Sequence, residues 1–373
     1  MISSKEQQRG AVSLFVVIFS ALLLTVVTVS FMRVMMQEQR QSTDNDLSQS
    51  AYDSAQAGVE DAKRVVVACN QGNATACTAI RQNNCNTVSA AGITTESGGA
   101  NSETVLQTNT AGGRELNQAY TCVKIDTTSP DYLAELQEGQ TLMIPLRAAG
   151  AVERIEIKWF KQEKDNVTPA NASAALNTIS TMAGTLPKKA SWPANGPALL
   201  NAQVIAPNAS FSVADLDASE VTQTVFLYPS RVGTNGIDLT GVRRDTPSEP
   251  RLTRCNPAQY QNGGYLCTMT LDLVRTIPPA SRVSYLRING IYQGSSLQVV
   301  LRDAGGQVVR FDGVQFTVDS TGRANDVFRR VESRLSVAGG DFPYPAGAVE
   351  LSGSLCKDFF VSSDSAGGAT CTP

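Results

Sequence analysis

Residues 7–32 read QQRGAVSLFVVIFSALLLTVVTVSFM. Lys5, Arg9 and a single glycine, Gly10, precede a run that holds no charged residue until Arg33. From residue 11 to 32, a helix rising about 1.5 Å per residue reaches about 33 Å, enough to cross the hydrocarbon core of a bilayer. A secretory signal has an apolar region of only about 7–15 residues, closed by a small-x-small cleavage site. Here the run is longer and no such site follows it. By the positive-inside rule Lys5 and Arg9 keep the first ten residues cytoplasmic, so the chain beyond about residue 36 is expected to be exported.

The helical pattern continues past the membrane. From 37 to 69 there is no proline, and Leu47, Ala51, Ala55, Val59, Ala62, Val66 and Cys69 recur every three or four residues. This is one stripe on one helix face. Asp46, Asp53, Glu60, Lys63 and Arg64 lie opposite, with Glu60 and Arg64 at the i,i+4 spacing of an ion pair. A single helix over 11–69 would be about 88 Å long, half in lipid (11–35) and half in water (36–69). Gly58 and the polar run QSTDND (41–46) offer a break, leaving a membrane helix followed by a separate surface helix as the alternative.

Composition narrows the function classes. The chain has 373 residues and a net charge of −3, and it contains no histidine. The balanced charge gives no reason to expect a nucleic-acid partner, which needs clustered cations. Without histidine, Ser-His-Asp and Cys-His activation and His-ligated metal sites are excluded. No catalytic residue, cofactor or metal site is expected.

The eight cysteines are Cys69, Cys77, Cys85, Cys122, Cys255, Cys267, Cys356 and Cys371. None forms a CxxC pair and all follow the apolar run, which favours disulfides in an oxidising compartment over zinc. The loop CNPAQYQNGGYLC is expected to close through Cys255–Cys267, and Cys356–Cys371 to tie down the C-terminal segment. The other four allow three connectivities.

The stretch QRGAVSLFVVIF resembles a type III (prepilin) signal, and SAYDSAQAGVEDAKR (50–64) is similar to the corresponding helix of PilX-type minor pilins and pseudopilins of type IV pilus-like systems. The resemblance covers about the first 70 residues. It implies that a prepilin peptidase cuts between Gly10 and Ala11 and methylates the new N-terminus, so residues 1–10 are a leader. It implies a single-pass bacterial membrane protein before assembly, and a subunit at the cell surface or in a pilus afterwards. The expected partners are other pilins, met through the N-terminal helix, and the assembly platform. Major pilins carry a glutamate five residues after the cut; this chain has Phe15, a departure that resembles subunits at a filament tip.

Residues 70–135, rich in Asn, Thr, Ser, Gly and Ala, read as a Cys-containing, loop-rich region. From 136 to 373 an antiparallel β domain is expected, so the fold class is α+β. Ile155, Ile157 and Trp159 alternate with Glu156 and Lys158, the period of a half-buried strand. Residues 161–200 read as a long connection, and SFSVADL (210–216), among other short runs, as a strand. RDAGGQ (302–307) reads as a hairpin turn, and DSTGRAND (319–326) as a turn between strands rather than a calcium loop. SLCK (354–357) has an SxxK spacing without companion motifs.

Two functions follow. One is a minor pilin-like structural subunit at or near a filament tip, helping assembly begin and presenting its β domain. The other is a membrane-anchored surface adhesin or binding protein that never assembles.

Overall fold

A computed structural model describes residues 7–93, 103–107, 117–182, 187–207, 210, 212–216, 218, 220–240 and 250–336. In chain order, helices α1 (Gln7–Asn70), α2 (Ala74–Gln82) and α3 (Thr87–Ala90) come first, then strands β1 (Thr104–Gln107) and β2 (Gln118–Ser129). Strands β3 (Tyr132–Leu136), β4 (Thr141–Pro145) and β5 (Val152–Lys161) follow, then helices α4 (Gln162–Asp165) and α5 (Pro169–Thr181). Next are β6 (Leu199–Ile205), β7 (Thr222–Ser230), β8 (Gly236–Asp238), β9 (Arg251–Arg254) and helix α6 (Pro257–Gln261). The last strands are β10 (Tyr265–Ile277), β11 (Tyr285–Ile291), β12 (Ser295–Arg302), β13 (Val308–Val309), β14 (Phe311–Ala324) and β15 (Val327–Ser336). The fold is α+β: one long N-terminal helix followed by a large, mainly antiparallel β region.

The chain divides into two compact units. The first contains α1, α2 and α3 with a four-stranded sheet ordered β1-β2-β14-β15. The pairs β1–β2 and β14–β15 are antiparallel. Pro130–Phe311, between β2 and most of β14, belong to the second unit. This division corrects the single β domain expected from residue 136 onward, because β14 and β15 return to the helix. It is β-strand pairing over long separation, with no local signal, that brings them back.

The region expected to be loop-rich holds α2, α3, β1 and β2 instead. Asn73 caps α2, its side chain accepting hydrogen bonds from the Thr75 and Ala76 backbone N–H groups, and Asn83 ends the helix in the left-handed conformation. Small apolar residues (Ala76, Ala79, Ile80) then bury against the first unit's core.

The second unit contains two sheets. A six-stranded sheet runs β13-β12-β5-β10-β8, with β3 also pairing to β12. A five-stranded sheet runs β4-β11-β6-β7-β9. Pairing is antiparallel except at β7–β9 and β10–β8, which are parallel. The alternation read from β5 holds: Ile155, Ile157 and Trp159 are fully buried. Trp159 Nε1 donates to the Ala198 carbonyl oxygen at 3.0 Å, so its polar edge is satisfied inside the core.

Residues 161–200 are more than a connection. Thr168 and Pro169 open α5, whose Ala172, Ala175, Leu176 and Ile179 are buried. Ile179 packs with Trp192, Leu199 and Tyr228 over the five-stranded sheet. The expected strand in SFSVADL is also corrected: Val213–Leu216 form one turn of 3₁₀ helix, with Asp215 accepting from the Ser212 backbone N–H and hydroxyl. That local side-chain bond competes with strand formation.

Candidate functional site

Helix α1 runs unbroken over 64 residues, so neither Gly58 nor QSTDND interrupts it. Its two halves have opposite surroundings. From Leu14 to Met36 every residue is exposed, and an 18-residue window within the helix has a mean hydropathy of 2.7. The helix is long and apolar enough to cross a membrane. Phe15 is 76 % exposed. Fully burying a single Val, Leu or Phe side chain is favourable by about 1.5–3 kcal/mol. Left in water, a continuous apolar cylinder of this size is costly. Gly10 and Ala11 lie within α1.

From Ala51 to Val66 the helix packs on the first unit's own sheet. Ala51, Ser54, Ala55, Gly58, Val59, Asp61, Ala62, Val65 and Val66 are buried, while Asp46, Asp53, Glu60, Lys63 and Arg64 are exposed. The stripe is wider than expected, and Leu47 and Cys69 are only half-buried at its margins. The expected Glu60–Arg64 pair is replaced by two i,i+3 pairs: Lys63 Nζ to Glu60 at 2.8 Å and Arg64 to Asp61 at 2.9 Å. Asp61 also faces the sheet, where Tyr120 Oη donates to Asp61 Oδ2 at 2.8 Å.

Small residues on both sides allow this close seam. A Cβ on Gly322 of β14 would stand 2.2 Å from both the Ala51 carbonyl oxygen and the Ala55 nitrogen. A Cβ on Gly58 would stand 2.4 Å from Ser320 Oγ and 2.9 Å from Val123 Cγ2. Gly58 is thus a contact point and not a helix break. The turn read in DSTGRAND shrinks to Asn325–Asp326, with Asn325 at φ 48°, while residues 319–324 are strand. On β15, Val331 and Leu335 pack into the core and Arg329 Nε donates to Ser48 Oγ of α1 at 2.8 Å. Arg330, on the other face, pairs with Asp319 of β14.

Among the described residues there are three disulfides. Cys69–Cys77 joins the end of α1 to α2, and Cys85–Cys122 joins the segment after α2 to β2. Cys255–Cys267 links the strands flanking α6. Cys356, Cys371 and the SLCK motif lie outside the described residues. The connectivity of the first four cysteines could not be read from spacing; the Asn73 cap, which turns α2 back along α1, was the available clue. No protein-family model, curated protein or solved structure matches the chain.

Proposed function

We propose that the chain is a minor pilin-like subunit of a type IV pilus-like filament, acting at or near its tip. One observation carries the reading: a single continuous helix is bare and apolar in its N-terminal half and fixed to a four-stranded sheet in its C-terminal half. Such a helix can be held in lipid first and packed among neighbouring helices later, with the sheet unit outside throughout. The prepilin-like boundary at Gly10–Ala11 supplies a means of release, since removing residues 1–10 takes away Lys5 and Arg9. Prepilin peptidase, the assembly platform and other pilins are the partners in this reading.

Two features support the tip. Phe15 replaces the carboxylate that a pilin would set against its neighbour's amine, so it avoids the cost of about 2.5–3.5 kcal/mol of a charge in the bilayer. The second unit is a large addition between β2 and β14, easier to place where neighbours lie on one side only. Immunogold labelling of sheared filaments with an antibody to the second unit tests the assignment. Labels confined to filament ends support it; labels along the shaft at major-subunit density contradict the tip, and labels on the cell surface alone favour the non-assembled adhesin.

A further inference from the structure

The second unit carries a concave site of about 550 Å³ where β5, the β7–β8 loop, β9, α6 and β10 meet. Its walls bring together Lys158, Arg231 and Arg254, with Glu156 as the one carboxylate among the lining residues. These cations come from separate parts of the sequence. The alternation of β5 puts Glu156 and Lys158 on the face opposite Ile157 and Trp159. Arg231 follows β7, and Arg254 ends β9 beside the Cys255–Cys267 bridge.

The arrangement is held from below. Gly233 (φ +133°) lets the β7–β8 loop lie against β9, where a Cβ would stand 2.3 Å from the Leu252 carbonyl oxygen. Thr234 N then donates to the Leu252 oxygen at 3.1 Å, and Arg254 N to the Thr234 oxygen at 3.0 Å. Asn235 Nδ2 bridges the Arg254 and Thr268 carbonyl oxygens at 3.2 and 3.1 Å, tying the loop to β9 and β10. On the other side Tyr260 of α6 stacks on Phe160 at 5.5 Å and donates to the Val167 carbonyl oxygen at 2.8 Å.

The charges do not cancel locally. Glu156 is shared by two cations: Oε2 accepts from Arg302 Nε at 3.0 Å and Nη2 at 2.6 Å, and Oε1 forms an ion pair with Lys158 Nζ at 3.4 Å, so its single negative charge leaves an excess of positive charge. Arg231 donates to Ser173 Oγ at 2.6 Å, a neutral partner. The Arg254 guanidinium has no hydrogen-bond or ion-pair partner among the described residues, and it is exposed. An uncompensated guanidinium fork next to two further cations matches a carboxylate.

We propose that this site binds a carboxylate-bearing sugar, with Arg254 and Lys158 receiving the carboxylate. The volume lies in the range of small-molecule sites, about 300–1,000 Å³, and exceeds what one tetrahedral anion needs. The neutral lining is suited to ring hydroxyls: the Asn235 amide oxygen, the Gln259 amide and the Thr268 hydroxyl supply acceptors and donors. This inference goes beyond the filament reading and does not depend on it.

The test is calorimetric titration of the full chain in detergent with digalacturonate, its neutral methyl ester and inorganic sulfate. Saturable binding of digalacturonate is expected, at least tenfold tighter than of the ester or of sulfate. Arg254→Gln and, as a second variant should the first misfold, Lys158→Gln should weaken it at least tenfold. Arg81→Gln, at an exposed position of α2 in the other unit, should leave it unchanged. No saturable binding, equal binding of the ester, or unchanged affinity in folded Arg254→Gln and Lys158→Gln proteins would overturn the proposal. Sulfate binding as tightly as digalacturonate would also overturn it, leaving a simple anion site.

Discussion

Tyr120 Oη donates a 2.8 Å hydrogen bond to Asp61 Oδ2, joining the start of β2 to a carboxylate on the sheet-facing side of α1. Asp61 is 8 % exposed, and its other oxygen accepts from Arg64. Tyr120→Phe removes the donor and leaves a nearly buried carboxylate oxygen without it. Hydrogen bonds to charged groups contribute about 1.5–3 kcal/mol, so chemical unfolding of the variant should show a loss of that order. A loss below about 0.5 kcal/mol would mean that the pair does not hold the helix to the sheet.

The seam glycines predict an ordered series. Gly322→Ala sets a methyl against helix backbone that cannot rotate away, so about 3 kcal/mol or more should be lost. Gly58→Ala should cost less: its nearest obstacle is the Ser320 hydroxyl, and alanine regains about 1 kcal/mol of helix propensity. Ser320→Ala should be neutral or stabilising, because Ser320 Oγ is buried without a hydrogen-bond partner among the described residues. Thermal unfolding of the three variants gives the ranking directly; Gly322→Ala as stable as Ser320→Ala would contradict the close approach.

The α1 stripe and the β5 alternation were legible because helix and strand periods are local. Gly322 read as a turn residue, since nothing in the sequence near it announces that Ala51 and Ala55 will pass at contact distance. The same holds for Lys158, Arg231 and Arg254, which become neighbours through the β5–β10 and β7–β9 pairings and the Cys255–Cys267 bridge between them. The α2 segment has the alanine, threonine and asparagine composition of a loop, and the Asn73 cap is the local mark of its helix.

The disulfides should differ in effect by the length of chain they close. Cys85–Cys122 spans 37 residues and Cys69–Cys77 spans 8. On the loop-entropy model the first contributes about 4 kcal/mol and the second about 2.5 kcal/mol. Replacing each pair by alanines and comparing unfolding midpoints should show the larger drop for Cys85→Ala/Cys122→Ala. The reverse order would mean that strain or residual structure outweighs loop closure.

Alkaline pH offers a separate handle on the second unit. Burial pushes the Tyr228 hydroxyl up to about 12, with Tyr292 adding to the shift, and burial followed by the nearby Asp165 does the same for Tyr260. In the unfolded chain both ionise near 10. Between about pH 10 and 12 the unfolded state therefore binds fewer protons than the folded one, and stability falls as pH rises. The contribution is complete below pH 10. Ultraviolet titration of tyrosinate should show Tyr228→Phe and Tyr260→Phe each removing a late-titrating group; loss of only groups that ionise near pH 10 would contradict the buried placement.

The N-terminus of the mature chain decides between a processed filament subunit and a permanently anchored protein. Co-expression with a prepilin peptidase, followed by mass spectrometry of the purified full-length protein, measures it. The predicted product begins at Ala11 with a methylated amine and keeps the apolar helix from Leu14 onward. A chain that still carries Met1–Gly10, or one cut beyond Met36 so that the helix is lost, would contradict the filament reading.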